Sequence, residues 1–540
     1  MYREDATVTA KSRQGADYPE RRAFPELRPP SDSPGPVWQV GRRLVSGTSS
    51  QWRPNRRMNA TRPSLLTSAA TAGQFRLRAV GTLRYVLPMS LTRCVGLLAA
   101  LLWGEGVAVA AETRLPNVIV ILTDDQGRGD YSAFGSKDIR TPNIDRLFRE
   151  GMTFDNFFAN SCVCSPTRAA LLSGCHPDRV GVPGVIREEE PDNSWGWLSS
   201  RVSLLPTLLK AGGYHSALVG KWHLGITAPN LPNDRGFDLF RGFLGDMMDD
   251  YWTHLRHGQN FMRHNRDVVQ PEGHATDLFT AWACDYLEER RQAGTPFFLY
   301  LAYNAPHDPV QPPEDWLAKV KQREPQMPAN RAKLVALIEH LDSGIGRVLD
   351  KLESSGLANN TLVVFTSDNG GILANGANNG PWRSGKQHMY EGGLRVPGAA
   401  RWPGKIAPGS RTARTTLTMD IFPTVLAAAG LKPPGGIDGK SFLPALRGEA
   451  EADGARDYYF VRREGGPLYG GKTIEALRRG DWKIIQDSPF APLELYNLKD
   501  DPAETTNLAT KERTMFRDLS AALRRHVQHG GQTPWQPPAP

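Results

Sequence analysis

The stretch Asn117-Val-Ile-Val-Ile-Leu122, followed by Thr123-Asp124-Asp125-Gln126-Gly127, sets the pattern on which the chain is built. Its short apolar run, rich in β-branched residues, is typical of a strand buried on both faces of a largely parallel sheet. The pattern recurs at 215–219 before Lys221 and His223, at 297–301 before His307, and at 361–365 before Asp368 and Asn369. Because open α/β sheets bind ligands at the carboxyl ends of their strands, we expect these side chains to share one cleft.

The segments between these runs carry helical patterns. Thr141 is a predicted N-cap with Pro142 at the first helical position, residues 334–352 repeat apolar side chains at helical spacing, and residues 421–429 form a helix that ends at Gly430. Beyond the Pro- and Gly-rich loop 433–436, short strands are predicted at 457–461, 482–485 and 493–498, followed by a helix at 511–526.

This pattern predicts an α/β fold with a large, mostly parallel or mixed sheet flanked by helices. The predicted domains are a catalytic domain at 112–431, a small C-terminal α+β subdomain at 432–528 and a disordered tail at 529–540. The length of 540 residues is ample for this organisation.

The second informative stretch is Cys164-Ser-Pro-Thr-Arg168, which continues as Ala-Ala-Leu-Leu-Ser-Gly174. Pro166 suits a first helical turn and Gly174 a helix end, so Cys164 lies at or just before a helix N-terminus. A helix start attracts anions, and Arg168 lies one turn further on roughly the same face. The arrangement suits a tetrahedral oxyanion substrate. The alternative is a buried structural cysteine that opens an ordinary helix.

Cys164, Pro166 and Arg168, with Leu-Ser-Gly closing the helix, resemble the signature of the formylglycine-dependent sulfatases of the alkaline-phosphatase-like superfamily. Ser173 departs from the threonine often found there. The resemblance extends over most of residues 117–508. It implies that a formylglycine-generating or equivalent maturase oxidises Cys164 to 3-oxoalanine (formylglycine), whose hydrate attacks sulfur.

Oxygen-bearing side chains follow two of the predicted strands, namely Asp124 and Asp125 after the first and Asp368 and Asn369 after the last. Such a set suits a hard cation rather than zinc; alternatively, each pair caps a turn. The resemblance implies that these four residues bind calcium rather than magnesium and that the hydrated aldehyde of Cys164 completes the metal shell.

Further catalytic residues are implied by matches to family motifs. Lys221 and His223 match a Lys-x-His motif, in which the lysine binds sulfate and the histidine holds the aldehyde hydrate and takes its proton. His307 matches a histidine that contacts sulfate near the leaving oxygen, and Lys386 matches a sulfate-binding lysine. Arg168 helps to balance the charge of the sulfuryl group. The neighbours of Lys386 depart from the family pattern, so His388 is an alternative substrate contact.

Charge and cysteine content exclude several classes. Residues 1–88 contain 15 Lys and Arg against 6 Asp and Glu, leaving 50 against 51 in the remainder, so the net charge of +8 belongs to the N-terminal extension. The folded part therefore gives no reason to expect nucleic-acid binding. No Cys-x-x-Cys pair indicates zinc, and a bridge between Cys162 and Cys175 stays open.

The N-terminal region predicts export. Residues 1–88 have the composition of a disordered basic extension, and Met89 is a candidate true start. A basic residue, the apolar run 95–103 and Ala108-Val-Ala110 form a signal-peptide layout over 89–111. We expect a periplasmic or secreted protein without a stable membrane span after cleavage.

The expected function is hydrolysis of aryl or carbohydrate sulfate esters, with a sulfated small molecule or polysaccharide as substrate. Two rival functions stay open. One is a phosphodiesterase or phosphonate hydrolase with the same aldehyde, although the lysine and histidine set favours sulfate. The other is a non-catalytic glycan-binding homologue. Candidates for stacking on a sugar or aryl ring, or for ordinary loop packing, are Trp195, Trp197, Tyr251, Trp252, His254 and Trp382.

Overall fold

The structure is a computed structural model that describes residues 114–187, 194–449, 456–465 and 472–537. The predicted basic extension and signal peptide lie outside these residues. Within the described part of the chain, no helix has the length and apolar character needed to cross a membrane.

The core is a ten-stranded mixed sheet in the order β12-β2-β11-β10-β1-β9-β3-β4-β7-β8. The five central strands, β10-β1-β9-β3-β4, are parallel to one another. Two short strands, β5 and β6, pair separately. The bounds are β1 Asn117–Thr123, β2 Met152–Phe158, β3 His215–Lys221, β4 Leu239–Phe243, β5 Leu255–Arg256, β6 Gln259–Asn260, β7 Met262–His264, β8 Asp267–Val268, β9 Phe297–Ala302, β10 Thr361–Ser367, β11 Gly398–Arg401 and β12 Ser410–Leu417. The predicted mixed sheet is confirmed.

Helices cover the sheet. Their bounds are α1 Pro142–Glu150, α2 Cys164–Ser173, α3 Leu205–Ala211, α4 Ala275–Ala293, α5 Glu314–Arg323, α6 Ala329–Ser354, α7 Glu391–Leu394, α8 Ile421–Ala428, α9 Leu443–Leu446 and α10 Arg513–Gly530. The apolar stripe of α6 is buried as predicted. Thr141 is the N-cap of α1 and Pro142 its first residue, as predicted. The Thr141 side chain makes no cap bond, however, and Asp342 of α6 accepts from the backbone N–H groups of Asn143 and Ile144.

The C-terminal region forms a four-stranded antiparallel sheet in the order β13-β14-β15-β16. Its strands are β13 Tyr458–Arg463, β14 Thr473–Arg479, β15 Trp482–Gln486 and β16 Glu494–Asn497. The prediction found three of these and missed β14, whose alternation is interrupted by charged residues. The expected disorder from residue 529 is also wrong for the described residues up to 537. There, α10 runs to Gly530, Thr533 Oγ1 donates to the carbonyl of Arg179, and Trp535 stacks on Trp195.

Gly220, next to Lys221 at the end of β3, lies in a tight backbone crossing. Its φ is +111°, and a Cβ built there would lie 1.9 Å from the carbonyl oxygen of Ala302 on β9. We expect Gly220→Ala to lower the free energy of unfolding by about 3 kcal/mol or more, combining left-handed backbone strain with overpacking. Urea denaturation measures this loss. Gly213→Ala is the matched control, since Gly213 has φ +81° with open space around it; equal losses in both variants would contradict the crowding argument.

Candidate active site

The strand ends converge as expected. In the parallel register, Thr123 of β1 lies beside Ser367 of β10, so Asp124 and Asp125 emerge next to Asp368 and Asn369. The backbone N–H of Asp125 donates to Asp368 Oδ1 at 3.2 Å, and Asn369 Nδ2 donates to Asp125 Oδ1 at 2.7 Å. All four side chains are buried.

Cys164 is the first residue of α2, a helix that ends at Gly174 with φ +71°. Its Sγ lies 3.3 Å from Asp124 Oδ1 and 3.9 Å from Asp125 Oδ1. Burial, followed by the charge of Asp124, raises the pKa of the Cys164 thiol well above its ordinary value. Since the thiolate is the reactive form of cysteine, an unmodified Cys164 is a poor nucleophile in this setting.

Arg168, one turn along α2, forms ion pairs with Asp124 and Asp368. Its Nη2 and Nε donate to Asp368 Oδ2 at 2.8 and 3.1 Å, and Nη2 lies 3.4 Å from Asp124 Oδ2. Its Nη1 donates to the carbonyl of Lys221. The guanidinium is fully buried. It therefore ties α2 to the ends of β1, β3 and β10, in addition to supplying positive charge.

Two lysines face the aspartates directly. Lys221 Nζ donates to Asp124 Oδ2 at 2.6 Å, and Lys386 Nζ donates to Asp125 Oδ2 at 2.7 Å. Burial acts to raise the pKa of Asp124, but the positive charges of Lys221 and its neighbours prevail and hold that pKa well below its usual value. Burial and the charge of Asp124 raise the pKa of Asp368 to about 7. The site thus places three carboxylates against three cations in a dry environment.

The two histidines are held in defined tautomers by backbone carbonyls. His223 Nε2 donates to the carbonyl of Ile186 at 3.0 Å, which leaves Nδ1 as the lone-pair nitrogen; that atom is buried without a partner among the described residues. His307 Nδ1 donates to the carbonyl of Asp308, and its Nε2 accepts from Lys386 Nζ at 3.0 Å. Burial, together with the nearby lysines, lowers the pKa of both imidazoles, so both are neutral bases at neutral pH.

The donor set fits a hard cation. Carboxylate oxygens of Asp124 and Asp125, Cys164 Sγ and a His307 nitrogen all lie within 4.8 Å of one another. Asn369 Oδ1 is buried and lacks a hydrogen-bond partner among the described residues. A buried carbonyl oxygen without a donor is costly unless a cation or water satisfies it. The oxygen-rich composition matches calcium or magnesium.

Comparisons with known proteins agree with this geometry. The family model described as Sulfatase matches residues 116–431, and that described as N-sulphoglucosamine sulphohydrolase, C-terminal, matches residues 382–531. The N-acetylgalactosamine-6-sulfatase of Canis lupus familiaris is 33% identical over 407 residues, which cover 72% of this chain and 74% of that protein. The chain belongs to the sulfatase family. It is a sulfuric ester hydrolase of the alkaline-phosphatase-like superfamily, as the sequence motifs implied.

Similarity extends to a bacterial sulfatase and to solved structures. A sulfatase of Formosa agariphila is 30% identical over 488 residues, covering 76% of this chain and 88% of its own. The crystal structure of Ps i-CgsB in complex with k-i-k-neocarrahexaose has a TM-score of 0.71 at 29% identity and covers 79% of this chain and 96% of its own. The phosphonate monoester hydrolase of Agrobacterium radiobacter, with a TM-score of 0.58 at 23% identity over 77% of this chain and 96% of its own, shows the shared fold alone.

The structure brings all the predicted site residues into one cluster, which comprises Asp124, Asp125, Cys164, Arg168, Lys221, His223, His307, Asp368, Asn369 and Lys386. Their individual roles in the sulfatase stay predictions. The alternative contact, His388, instead lies with Nδ1 2.9 Å from Asp487 Oδ2. Sequence reasoning missed the carbonyls that orient the histidines, since backbone groups leave no signal in side-chain identity.

The predicted stacking residues make different kinds of contact in the structure. Tyr251 is buried, and its hydroxyl donates to the carbonyl of His307, so it supports the backbone of a site residue. Trp382 packs against the guanidinium groups of Arg128 and Arg395. His254 is buried, and its Nε2 donates to the carbonyl of Gly273. Trp195 stacks on Trp535 from the C-terminal tail. The four cysteines of the described residues are all free, including Cys162 and Cys175.

Proposed function

We propose that this sulfatase hydrolyses a carbohydrate sulfate ester by means of formylglycine made from Cys164, with calcium held by Asp124, Asp125, Asp368 and Asn369. The observation that carries the proposal is the position of Cys164. Its Sγ lies 3.3 Å from a carboxylate that Lys221 already binds, at the start of a buried helix. That setting suppresses thiolate chemistry and favours a hydroxyl-bearing replacement beside a metal.

Calcium bound there would withdraw charge from the sulfate oxygens, while the hydrated aldehyde would supply both the attacking hydroxyl and a second hydroxyl for later release of sulfate. Lys221, Lys386 and Arg168 provide fixed positive charge around the tetrahedral group, an electrostatic contribution that needs no rearrangement of solvent. Their burial strengthens that contribution, because the local dielectric is low.

The proton-transfer groups are His223 and His307. His223 carries an unpartnered basic nitrogen, Nδ1, because its Nε2–H is committed to the carbonyl of Ile186; it is the base for the second hydroxyl. Lys386 Nζ donates to the lone pair of His307 Nε2 at 3.0 Å, so one proton of the lysine is aligned with this imidazole. That proton is available to the departing alcohol oxygen.

The carbohydrate class is supported by the relatives. Their names include N-acetylgalactosamine-6-sulfatase, and the solved neighbour holds a neocarrahexaose. We infer a sulfated sugar of that kind as substrate, an exported location from the predicted signal peptide, and a maturase that acts on Cys164. Phosphonate and phosphate ester hydrolysis is the alternative to exclude.

The deciding experiment is the intact mass of the peptide that carries Cys164, from protein made in its native host, combined with turnover of 4-nitrophenyl sulfate and 4-nitrophenyl phenylphosphonate. We expect the aldehyde or its hydrate and preferential sulfate release. An unmodified thiol, in cells that modify other sulfatases, would contradict the proposal. Faster hydrolysis of the phosphonate would favour the alternative.

Calcium binding is testable apart from activity. Because a ligand that binds only the native state raises its stability, added calcium should raise the melting temperature of metal-stripped protein. Asn369→Ala should raise the half-saturating calcium concentration by about tenfold or more, since it removes the buried carbonyl oxygen and the hydrogen bond to Asp125. Asn330→Ala, at an exposed helical asparagine, is the control. Equal calcium responses in both variants would exclude Asn369 as a ligand.

A further inference from the structure

A cavity adjoins the catalytic cluster, the ten site residues that the structure brings together. It has a volume of about 440 Å³ and is formed by the loop after α2, the segment after β3 and the C-terminal tail, with lining residues that include Ile186, Trp197, Leu224, Thr227, Trp535 and Gln536. This volume lies within the usual range for small-molecule sites. Both apolar and polar side chains line it.

One residue belongs to the walls of both the cavity and the catalytic cluster. The backbone N–H of Ile186 donates to Ser165 Oγ at 3.1 Å, directly after Cys164, and its carbonyl accepts from His223 Nε2 at 3.0 Å. Leu224, another lining residue, follows His223 in sequence. The cavity is therefore separated from the catalytic cluster by the single residue Ile186 on one side and adjoins it through the chain at Leu224 on the other.

The tail that closes the cavity is anchored on both sides of Pro534. Thr533 Oγ1 donates to the carbonyl of Arg179 at 2.8 Å, and the rings of Trp535 and Trp195 stack with centroids 4.7 Å apart and planes 18° apart. The α10 helix, which leads into the tail, contacts the 3₁₀ turn Pro177–Val180. The indole of Trp535 is thus held as a fixed wall of the cavity.

The chemistry of the lining suits a sugar ring. Aromatic rings such as those of Trp197 and Trp535 provide apolar surface for the C–H side of a pyranose, while Thr227 and Gln536 provide hydrogen-bonding groups for hydroxyls. Arg187 also lines the cavity, and its Nη2 donates to Glu464 Oε2 at 3.0 Å. Glu464 also accepts from Arg462 Nε at 2.9 Å, so one carboxylate pairs with two guanidinium groups.

We propose that this cavity binds a saccharide unit of the substrate beside the sulfate and that Trp535 of the C-terminal tail sets the preference for saccharides over small aryl esters. The proposal rests on the proposed function, since it assigns a further part of the same substrate site. It makes Trp535, Gln536 and Pro537 part of that site.

The test measures binding without turnover. In calcium-loaded protein carrying Cys164→Ala, calorimetry gives dissociation constants for sulfated di- to hexasaccharides of chondroitin 6-sulfate and carrageenan. Trp535→Ala, or a chain that ends after Thr533, should weaken the tightest-binding oligosaccharide by about tenfold. Trp535→Phe should retain part of the affinity. Phe490→Ala, at an aromatic residue 91% exposed in the C-terminal sheet region, is the control and should bind like the parent.

The outcomes separate this inference from the proposed function. Unchanged affinity in both tail variants, an equal loss in the Phe490 control, or no oligosaccharide binding by the parent would each overturn the subsite. Hydrolysis of 4-nitrophenyl sulfate by the unmutated Cys164 protein is measured independently. Its absence would speak against the proposed function, whereas a Trp535-dependent loss of oligosaccharide affinity would still support the saccharide site.

Discussion

Replacing Cys164 by alanine is expected to abolish sulfate ester hydrolysis while the protein stays folded. The side chain is 2% exposed, and its sulfur lies at hydrogen-bond distance from the two aspartates, so its loss leaves a small cavity and no broken ion pair. The proposed nucleophile, by contrast, is removed entirely. We expect kcat with 4-nitrophenyl sulfate to fall by at least about 10⁴-fold, comparable to the loss of other covalent nucleophiles.

The matched control is Cys162→Ala. Cys162 is also buried, two residues earlier, and burial raises the pKa of its thiol to about 12. Its backbone carbonyl accepts from the N–H of Gln387 at 2.9 Å, and that hydrogen bond survives the substitution. Turnover should therefore stay within a few-fold of the parent. Substantial hydrolysis by Cys164→Ala, or an equal loss in Cys162→Ala, would contradict the assignment of the nucleophile.

The catalytic cluster could be predicted from sequence because it depends on two regular features. Buried parallel strands such as β1 and β10 have a recognisable composition, and their register forces Asp124 and Asp368 to the same edge. The start of α2 has a local signal in Pro166 and Gly174. Each of these features depends on a few consecutive residues, so it can be predicted from the local sequence.

Contacts between distant segments could not be read in this way. Asp342 caps α1 from a helix nearly 200 positions away, and Tyr251, a candidate for sugar stacking, is buried beneath His307. The tail from residue 531 is rich in Pro, Gly and Gln and has the composition of a disordered end, yet Trp535 packs on Trp195. Such pairings depend on the assembled surface.

The largest stability effect is expected at another long-range contact, at Lys483 of β15. Lys483 is fully buried, and its Nζ lies 2.9 Å from Glu391 Oε1 and 2.8 Å from Glu504 Oε1. Glu504 also accepts from the backbone N–H of Glu391 at 2.7 Å. Because Glu391 begins α7 five residues after Lys386, this triad anchors the segment that carries Lys386 to the C-terminal sheet.

Lys483→Met should lower the free energy of unfolding by about 3–5 kcal/mol, since it leaves two buried carboxylates side by side without their shared cation. Nitrogens of Arg395 and Arg478 still lie 3.0 and 3.8 Å from Glu391 Oε2. The carboxylate left without a cation is therefore mainly that of Glu504. Urea denaturation measures the loss. Lys499→Met, at an exposed lysine after the same sheet, should change stability little.

The pH dependence of the free energy of unfolding identifies the cause of the loss in Lys483→Met. Burial already raises the pKa of Glu504 despite the opposing charge of Lys483, and removal of that charge raises the pKa further. A carboxyl whose pKa is higher in the folded than in the unfolded state binds its proton more tightly when folded, so stability falls as pH rises between the two values. The deficit of Lys483→Met should therefore be smaller near pH 5 than at pH 8.

Adding Glu504→Gln to Lys483→Met should recover part of the stability at pH 8 and flatten the pH dependence, because the carboxylate left without a cation is gone. Turnover offers a separate readout. If the triad positions Lys386, kcat of Lys483→Met should fall at temperatures where the variant is fully folded, while Lys499→Met stays unchanged. Full activity in a folded Lys483→Met protein would restrict the triad to stabilising the sheet, and a pH-independent deficit would point to lost packing rather than unpaired charge.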